Sequence, residues 1–414
     1  MLEHLSGRYP VGIYYLSENL WDAEGVRRLA EVGVDFLVSV RPRARLLDLC
    51  MKHRIGIISS GNFQMWWGGD GSNAGHYEET FPLQTVERVR SVYPVSQAIW
   101  GDYLIDEPNV QDFKHINDVI QYYRRFLPNK MPFVNLYPNY ASVAGNTQEQ
   151  TVSQLGVGRY SDYIERYLQT IDLPYLCLDF YPLTGGEDGP FDRYFENLDI
   201  AASACRRSGK ALWMILQAGA WTPEEAIDTF QLRWQVGLSL AFGARAIMHA
   251  SYSKGWWDDA TACVTEAGEK NPMYDSVQRV NREIHAVGSD YLKYKNTGIC
   301  VCGDLNNTHP RIRRQLNELP YKQSDVVIRR TGSIAADGAI VAGTFENETT
   351  NKRAMLLVNT QNPLDASATV HVCLKSTTSM VILHRGEHCE VLAAPKDGLN
   401  LEIESGGWLF LEMV

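Results

Sequence analysis

Two acidic residues stand side by side in Asp106-Glu107-Pro108, directly behind the apolar run Ala98–Ile105. A proline closes an extended run, so the pair sits at a strand end. A neighbouring carboxylate raises a carboxyl's pKa and keeps its proton at neutral pH. Glu107 therefore reads as a general acid. Asp179 opens Asp179-Phe180-Tyr181-Pro182 at the end of a second apolar run and supplies another carboxyl. One carboxyl that donates a proton, facing one that attacks carbon or activates water, is the pair that cleaves glycosidic bonds. Asp179 is assigned the role of nucleophile or base. Asp106, Asn135, Tyr181 and Gln217 lie at strand ends and offer groups that bind hydroxyls. Trp66, Trp67, Trp256 and Trp257 follow strands and offer flat faces for sugar rings. Glu18, Asp258 and Asp259 are reserve acids. These ends hold few cations and no glycine-rich phosphate loop, which disfavours a phosphorylated ligand. His249 is the one histidine among them, too few for a metal centre, so neither metal nor cofactor is expected.

Such residues need a scaffold that gathers strand ends. Eight apolar runs recur through the first 290 or so residues: Val11–Leu16, Asp35–Val40, Ile55–Ser60, Ala98–Ile105, Pro132–Tyr137, Pro174–Tyr181, Ala211–Gln217 and Ala244–Ala250. Amphipathic helical runs separate them, at Asp22–Val32, Arg43–His53, Leu83–Val92, Gln111–Phe126, Ser161–Ile171, Phe191–Ser208 and Thr222–Phe242, with a last near Met273–Val287. Gly33 suits the left-handed stop of the first helix, and Thr222-Pro223-Glu224-Glu225 suits a capped helix start. Continuous apolar strands alternating with helices predict a parallel sheet with covered faces, and eight units predict a closed (β/α)8 barrel. No Gly-x-Gly-x-x-Gly follows the first strand, which argues against a dinucleotide fold.

From about Thr297 the helical period fades. Short runs at Ala339–Phe345, Ala354–Asn359, Thr369–Leu374, Ser379–His384, Cys389–Ala393 and Trp408–Met413 predict an antiparallel β-sandwich. The expected division is a catalytic barrel over residues 1–296 and a sandwich over 297–414. The polar stretch Asp304–Asp325 is expected to be a connector or lid.

The chain has 414 residues, enough for one large and one small domain. Its formal net charge of −10 disfavours nucleic acid and anionic membranes as partners. No apolar stretch has the length of a membrane span. Met1–Pro10 lacks the pattern of a signal peptide, so the expected location is cytoplasmic, or exported with the signal absent from this chain. The eight cysteines are scattered and read as buried thiols. Oligomeric state is not legible.

Asp106-Glu107-Pro108 at the end of the fourth strand resembles the Asn-Glu-Pro motif of the barrel glycosidase clan that includes the family 42 β-galactosidases. The runs Leu232–Ala244, Pro272–Ile284 and Gly343–Asn359 are loosely similar to that clan's late barrel helices and following sandwich. The resemblance implies a glycosidase with Glu107 as acid/base. It departs at two places. The clan's Asn is Asp106 here, and its nucleophilic Glu at the end of the seventh strand is Gln217. A neutral amide cannot attack as a carboxylate does, so Asp179 takes the role. Strands two apart lie about 9–10 Å apart, which brings inward carboxyls to about 5–9 Å. Two alternatives stay open: a hexosaminidase-like, substrate-assisted hydrolase using Asp106 and Glu107, or a sugar-binding barrel without catalysis.

Overall fold

The computed structural model describes residues 7–143, 153–186, 189–320 and 331–414. Strands β1 (Val11–Tyr14), β2 (Phe36–Val40), β3 (Gly56–Ser59), β4 (Trp66–Trp67), β5 (Ile99–Asp106), β6 (Met131–Asn135), β7 (Tyr175–Phe180), β8 (Ala211–Gln217) and β9 (Ala244–Ala250) form one parallel sheet. β4 is a two-residue addition beside the end of β5, and the other eight fall within the eight predicted runs or one residue beyond. The order β5-β3-β2-β1-β9-β8-β7, with β6 on the far side of β5, curls the sheet round. Its two ends meet where Leu136, just past β6, bridges Leu178 of β7 and donates its N–H to the Cys177 carbonyl at 2.9 Å.

Helices α1 (Ala23–Glu31), α2 (Ala44–His53), α3 (Tyr77–Thr80), α4 (Gln84–Arg90), α5 (Phe113–Phe126), α6 (Tyr160–Thr170), α7 (Tyr194–Ser208), α8 (Thr229–Ala241) and α9 (Pro272–Tyr291) cover the outside. Gly33 ends α1 with φ +81. The other capping expectation moves. Pro223–Glu225 makes only a single 3-10 turn, and α8 starts after Asp228, whose N–H donates to the Gln231 side chain at 2.9 Å. Its buried face is wide, because α8 lies between the parallel sheet and the antiparallel strands. A Cβ on Gly237 would meet Trp408, and one on Gly343 would meet the Ala241 carbonyl.

The antiparallel part holds a six-stranded sheet and a three-stranded sheet. The first is β10 (Lys295–Cys302), β12 (Ile340–Glu346), β13 (Arg353–Asn359), β18 (Trp408–Met413), β15 (Met380–Arg385) and β16 (His388–Ala393). The second is β11 (Gly332–Ala336), β14 (Val370–Ser376) and β17 (Leu399–Ile403). A compact apolar cluster that includes Leu357, Val372 and Leu411 lies between them. The run predicted as a connector carries helix α10 (Pro310–Glu318), and its end lies outside the described residues. Cys389 is exposed rather than buried, because β16 is an edge strand, and Cys373 on β14 is only partly buried.

Inside the curled sheet, aromatic rings form the floor below the strand ends. Tyr103 meets Phe133 edge-on at 4.9 Å, and Tyr175 stacks on Trp213 at 4.3 Å. Rings of this size need small neighbours. A Cβ on Gly12 would come within 2.4 Å of the Phe36 ring, and one on Gly56 within 2.1 Å of the Trp100 ring. Overpacking a filled core costs about 1–3 kcal/mol. Gly56→Ala should therefore lower unfolding free energy by about 1–3 kcal/mol in urea denaturation. An unchanged midpoint would show that Trp100 yields freely.

Candidate functional site

The C-terminal ends of the parallel strands open into a cavity of about 580 Å³. Its wall includes Asp106, Glu107, Asn135, Asp179, Tyr181, Trp67 and Trp256, seven residues singled out from the sequence. It also includes Tyr14, Tyr15, Ser39, Met65, Asp70, Tyr103, Tyr140, Ile215 and Trp221.

Strand alternation alone would send Asp106 and Glu107 to opposite faces. Two local departures bring both to the cavity. The register between β5 and β6 slips between Tyr103 and Ile105, so Tyr103 and Asp106 face the same way although three residues apart. Glu107 then takes φ +51, which turns the chain back on itself. Gly68 makes room for this turn. It donates its N–H to the Asp106 carbonyl at 2.9 Å, and a Cβ there would lie 1.9 Å from the Glu107 carbonyl. The turn is also tied by the Glu107 N–H, which donates to the Asn135 carbonyl at 2.9 Å.

Trp67 Nε1 donates to Glu107 Oε2 at 3.0 Å. Asn135 Nδ2 donates to Asp179 Oδ1 at 2.8 Å and to Asp106 Oδ1 at 3.1 Å. One amide nitrogen thus bridges two carboxyls, which holds those oxygens within about 6 Å of each other. Burial is the first cause that raises all three carboxyls. The charges of Asp179 and Asp106 then push Glu107 well above the ordinary range, against the Trp67 hydrogen bond. Asp179 is pushed up to about 7 by burial and then by Asp106, against the Asn135 hydrogen bond. Asp106 is raised by burial, with Tyr103 and Asn135 opposing.

Four other predicted residues do not reach the cavity wall. Gln217 is 0% exposed. Its Oε1 accepts from the Leu183 N–H at 2.9 Å and its Nε2 donates to the Gly219 carbonyl at 3.0 Å, so it fastens the segment after β7 to β8. Ile215, two residues earlier on β8, lines the cavity instead. Trp66 is buried against Tyr77, because the two residues of β4 alternate and only Trp67 turns to the cavity. Trp257 is 2% exposed and donates to the Ala250 carbonyl at 2.8 Å, beneath Trp256. Glu18 is exposed and pairs with Arg43 at 3.1 Å. The reserve acids serve turns: Asp258 accepts from Ala260 N–H and Asp259 from Glu266 N–H. His249 faces outward to Asn281 at 2.7 Å, and burial lowers its pKa to about 4.

Sequence reading passed over Asp70, Tyr103, Tyr140 and Trp221. Tyr103 carried a signal, being on the strand that ends in the acidic pair. The other three lie on loops whose path no periodicity sets.

No protein-family model matches the chain, and no curated protein matches it. Solved structures do. One described as a glycoside hydrolase covers 98% of this chain and 92% of its own, with a TM-score of 0.53 at 8% identity. That likeness shows a shared fold. A family 39 glycoside hydrolase from the gut symbiont Bacteroides cellulosilyticus WH2 covers 99% of this chain and 81% of its own, at 11% identity and a TM-score of 0.49. A glucosidase from Croceicoccus marinus covers 99% and 96%, at 8% identity and a TM-score of 0.44. Those two scores are too low to add to the first. Among the described residues, no helix is long and apolar enough to cross a membrane.

The raised Asp179 has a consequence for stability. Its ordinary value is 3.8, so the unfolded chain releases this proton near pH 4, whereas the native protein holds it to about pH 7. The native state binds the extra proton, so stability falls as pH rises from about 4 to about 7. Asp179→Asn should remove that fall and stabilise the protein at pH 8 by about 1–3 kcal/mol, read from denaturation at pH 5 and pH 8. A variant less stable than the parent at pH 8 would contradict the assigned electrostatics.

Proposed function

We propose that this protein is a glycoside hydrolase on a (β/α)8 barrel, with Glu107 as the proton donor and Asp179 as the carboxylate that meets the anomeric centre. One observation carries the reading: three carboxyls raised above their ordinary pKa converge in one aromatic-walled cavity at the ends of parallel strands. The proposed resemblance to the family 42 clan and the proposed division near residue 296 fit it.

The chemistry follows from the environment of each group. Burial, and then the charges of Asp179 and Asp106, raise the Glu107 carboxyl and favour its protonated form. The Trp67 N–H occupies Oε2 as an acceptor, so the acidic proton sits on Oε1 and is given to the departing glycosidic oxygen. Asp106 and Asp179 share the Asn135 amide and titrate as a pair. The anionic member stabilises positive charge as the anomeric carbon becomes cation-like, attacking it directly or through a water. Trp67 and Trp256 present faces against which a sugar ring stacks.

A second reading has one observation in its favour. β8 sends Ile215 rather than a carboxylate into the cavity, which suits a mechanism where the substrate's own acetamido group attacks, oriented by Asp106. Preference for N-acetylated aryl glycosides over their parents separates the two.

Glu107→Gln should slow hydrolysis of glycosides with poor leaving groups by about 10²–10⁴-fold, with a smaller loss on dinitrophenyl glycosides that need no proton. Asp179→Asn should slow both kinds alike. Unchanged rates on poor leaving groups would remove Glu107 from its role. Trp67→Phe keeps a ring but loses the donor to the Glu107 carboxylate. The basic limb of the pH–rate profile should then move up, because the lost hydrogen bond favoured the ionised form. A limb that stays or moves down would show that Glu107 does not govern it.

A further inference from the structure

Hydrolysis asks for two carboxyls, and this cavity wall holds four: Asp70, Asp106, Glu107 and Asp179. Among the described residues, no Lys, Arg or His lines it. The donors that meet these carboxyls are neutral. They include the Trp67 indole, the Asn135 amide, the Tyr103 and Tyr181 hydroxyls, and the Gln154 amide, which reaches Asp70 at 3.1 Å. Some acids elsewhere in the molecule gain cations. Asp192 pairs with Arg311 and Arg314, and buried Asp35 pairs with Arg8. The cavity is thus a concentration of acid with no counter-charge among the described residues.

A second observation points to a ligand there. The Tyr14 hydroxyl belongs to a side chain only 3% exposed, on the wall of the same cavity. Its polar neighbour is the Tyr103 hydroxyl, which also serves Asp106, and it closes no hydrogen bond of good geometry. A buried hydroxyl left open costs free energy until something meets it. The cavity also has aromatic walls, which weaken screening by water and strengthen any charge–charge term.

We propose that the sugar bound in this cavity carries a free amine, as in a 2-amino-2-deoxy glycoside, and that its ammonium supplies the missing counter-charge. This rests on the glycosidase reading and names its substrate class. An ammonium offers three N–H donors and a full positive charge, and pairing with Asp106 or Asp179 draws that carboxyl into its ionised form against the burial that raises both. Acetylating the amine removes the charge, and a uronic acid adds one of the wrong sign, so both are disfavoured on the same electrostatic ground.

The test compares kcat/KM of the wild-type chain on 4-nitrophenyl 2-amino-2-deoxy-glucoside and -galactoside. Their controls are the parent glucoside and galactoside, the N-acetylated forms and the glucuronide. At about pH 6, where such amines are charged, the better amino glycoside should exceed its parent by about tenfold or more, with the glucuronide slowest. The ratio should shrink in high salt and at about pH 9, where the amine is neutral. Asp70→Asn should shrink the ratio of amino to parent glycoside at pH 6. Parent or N-acetylated glycosides hydrolysed as well as or better than the amino forms would overturn the amine assignment and leave the glycosidase reading standing. Absence of turnover in every arm would overturn both.

Discussion

Consecutive side chains on a strand point to opposite faces, and the acidic pair escapes that rule through a backbone turn at Glu107 with φ +51. A positive φ at a residue with a Cβ is unfavourable and persists only where the surroundings hold it. Here two contacts hold it: the Glu107 N–H on the Asn135 carbonyl, and the close approach of Gly68. The short strand β4 pairs with the end of β5 in this same place, and that pairing delivers Trp67 to the Glu107 carboxylate. One turn therefore sets the direction of the acid, the position of its donor and the face on which a ligand meets both.

The Asn135 amide is the electrostatic counterpart of that turn. Two carboxyls that repel each other share its nitrogen, and the Cys177 thiol reaches its carbonyl oxygen at 3.8 Å, which fixes which way the amide points. Charges gathered in this way destabilise the native state. The cost is met by what lies beneath them, an apolar and aromatic floor that requires glycines opposite its largest rings. Strain and repulsion stand at the strand ends, and close packing stands below.

The mouth of the cavity is arranged differently. Gln217, Trp66 and Trp257 are polar or aromatic residues at or just beyond strand ends, and the fold uses them as fastenings rather than as cavity wall. Gln217 ties the segment after β7 to β8, which steadies the chain that carries Tyr181. Trp257 supports Trp256 from below. A strand-end position on such a sheet thus has two uses, to face the ligand or to anchor a loop that does.

The eight parallel strands, most of their helices and the later antiparallel strands were legible in the amino-acid order, because burial on one face or both imposes a period that neighbours in sequence already display. The acidic pair and Asp179 were legible for the same reason, as polar residues closing apolar runs. Strands β4, β11 and β17 and helices α3 and α10 were not predicted, since their runs are short or broken by polar residues. Only the tertiary structure decided that Asn135 would bridge Asp106 and Asp179, that Trp67 and not Trp66 would meet Glu107, and that Gln217 would be sealed away. Those outcomes depend on a register slip, a left-handed turn and the route of loops over strand ends. Each is set by contacts between residues far apart in the chain, and no local pattern encodes it.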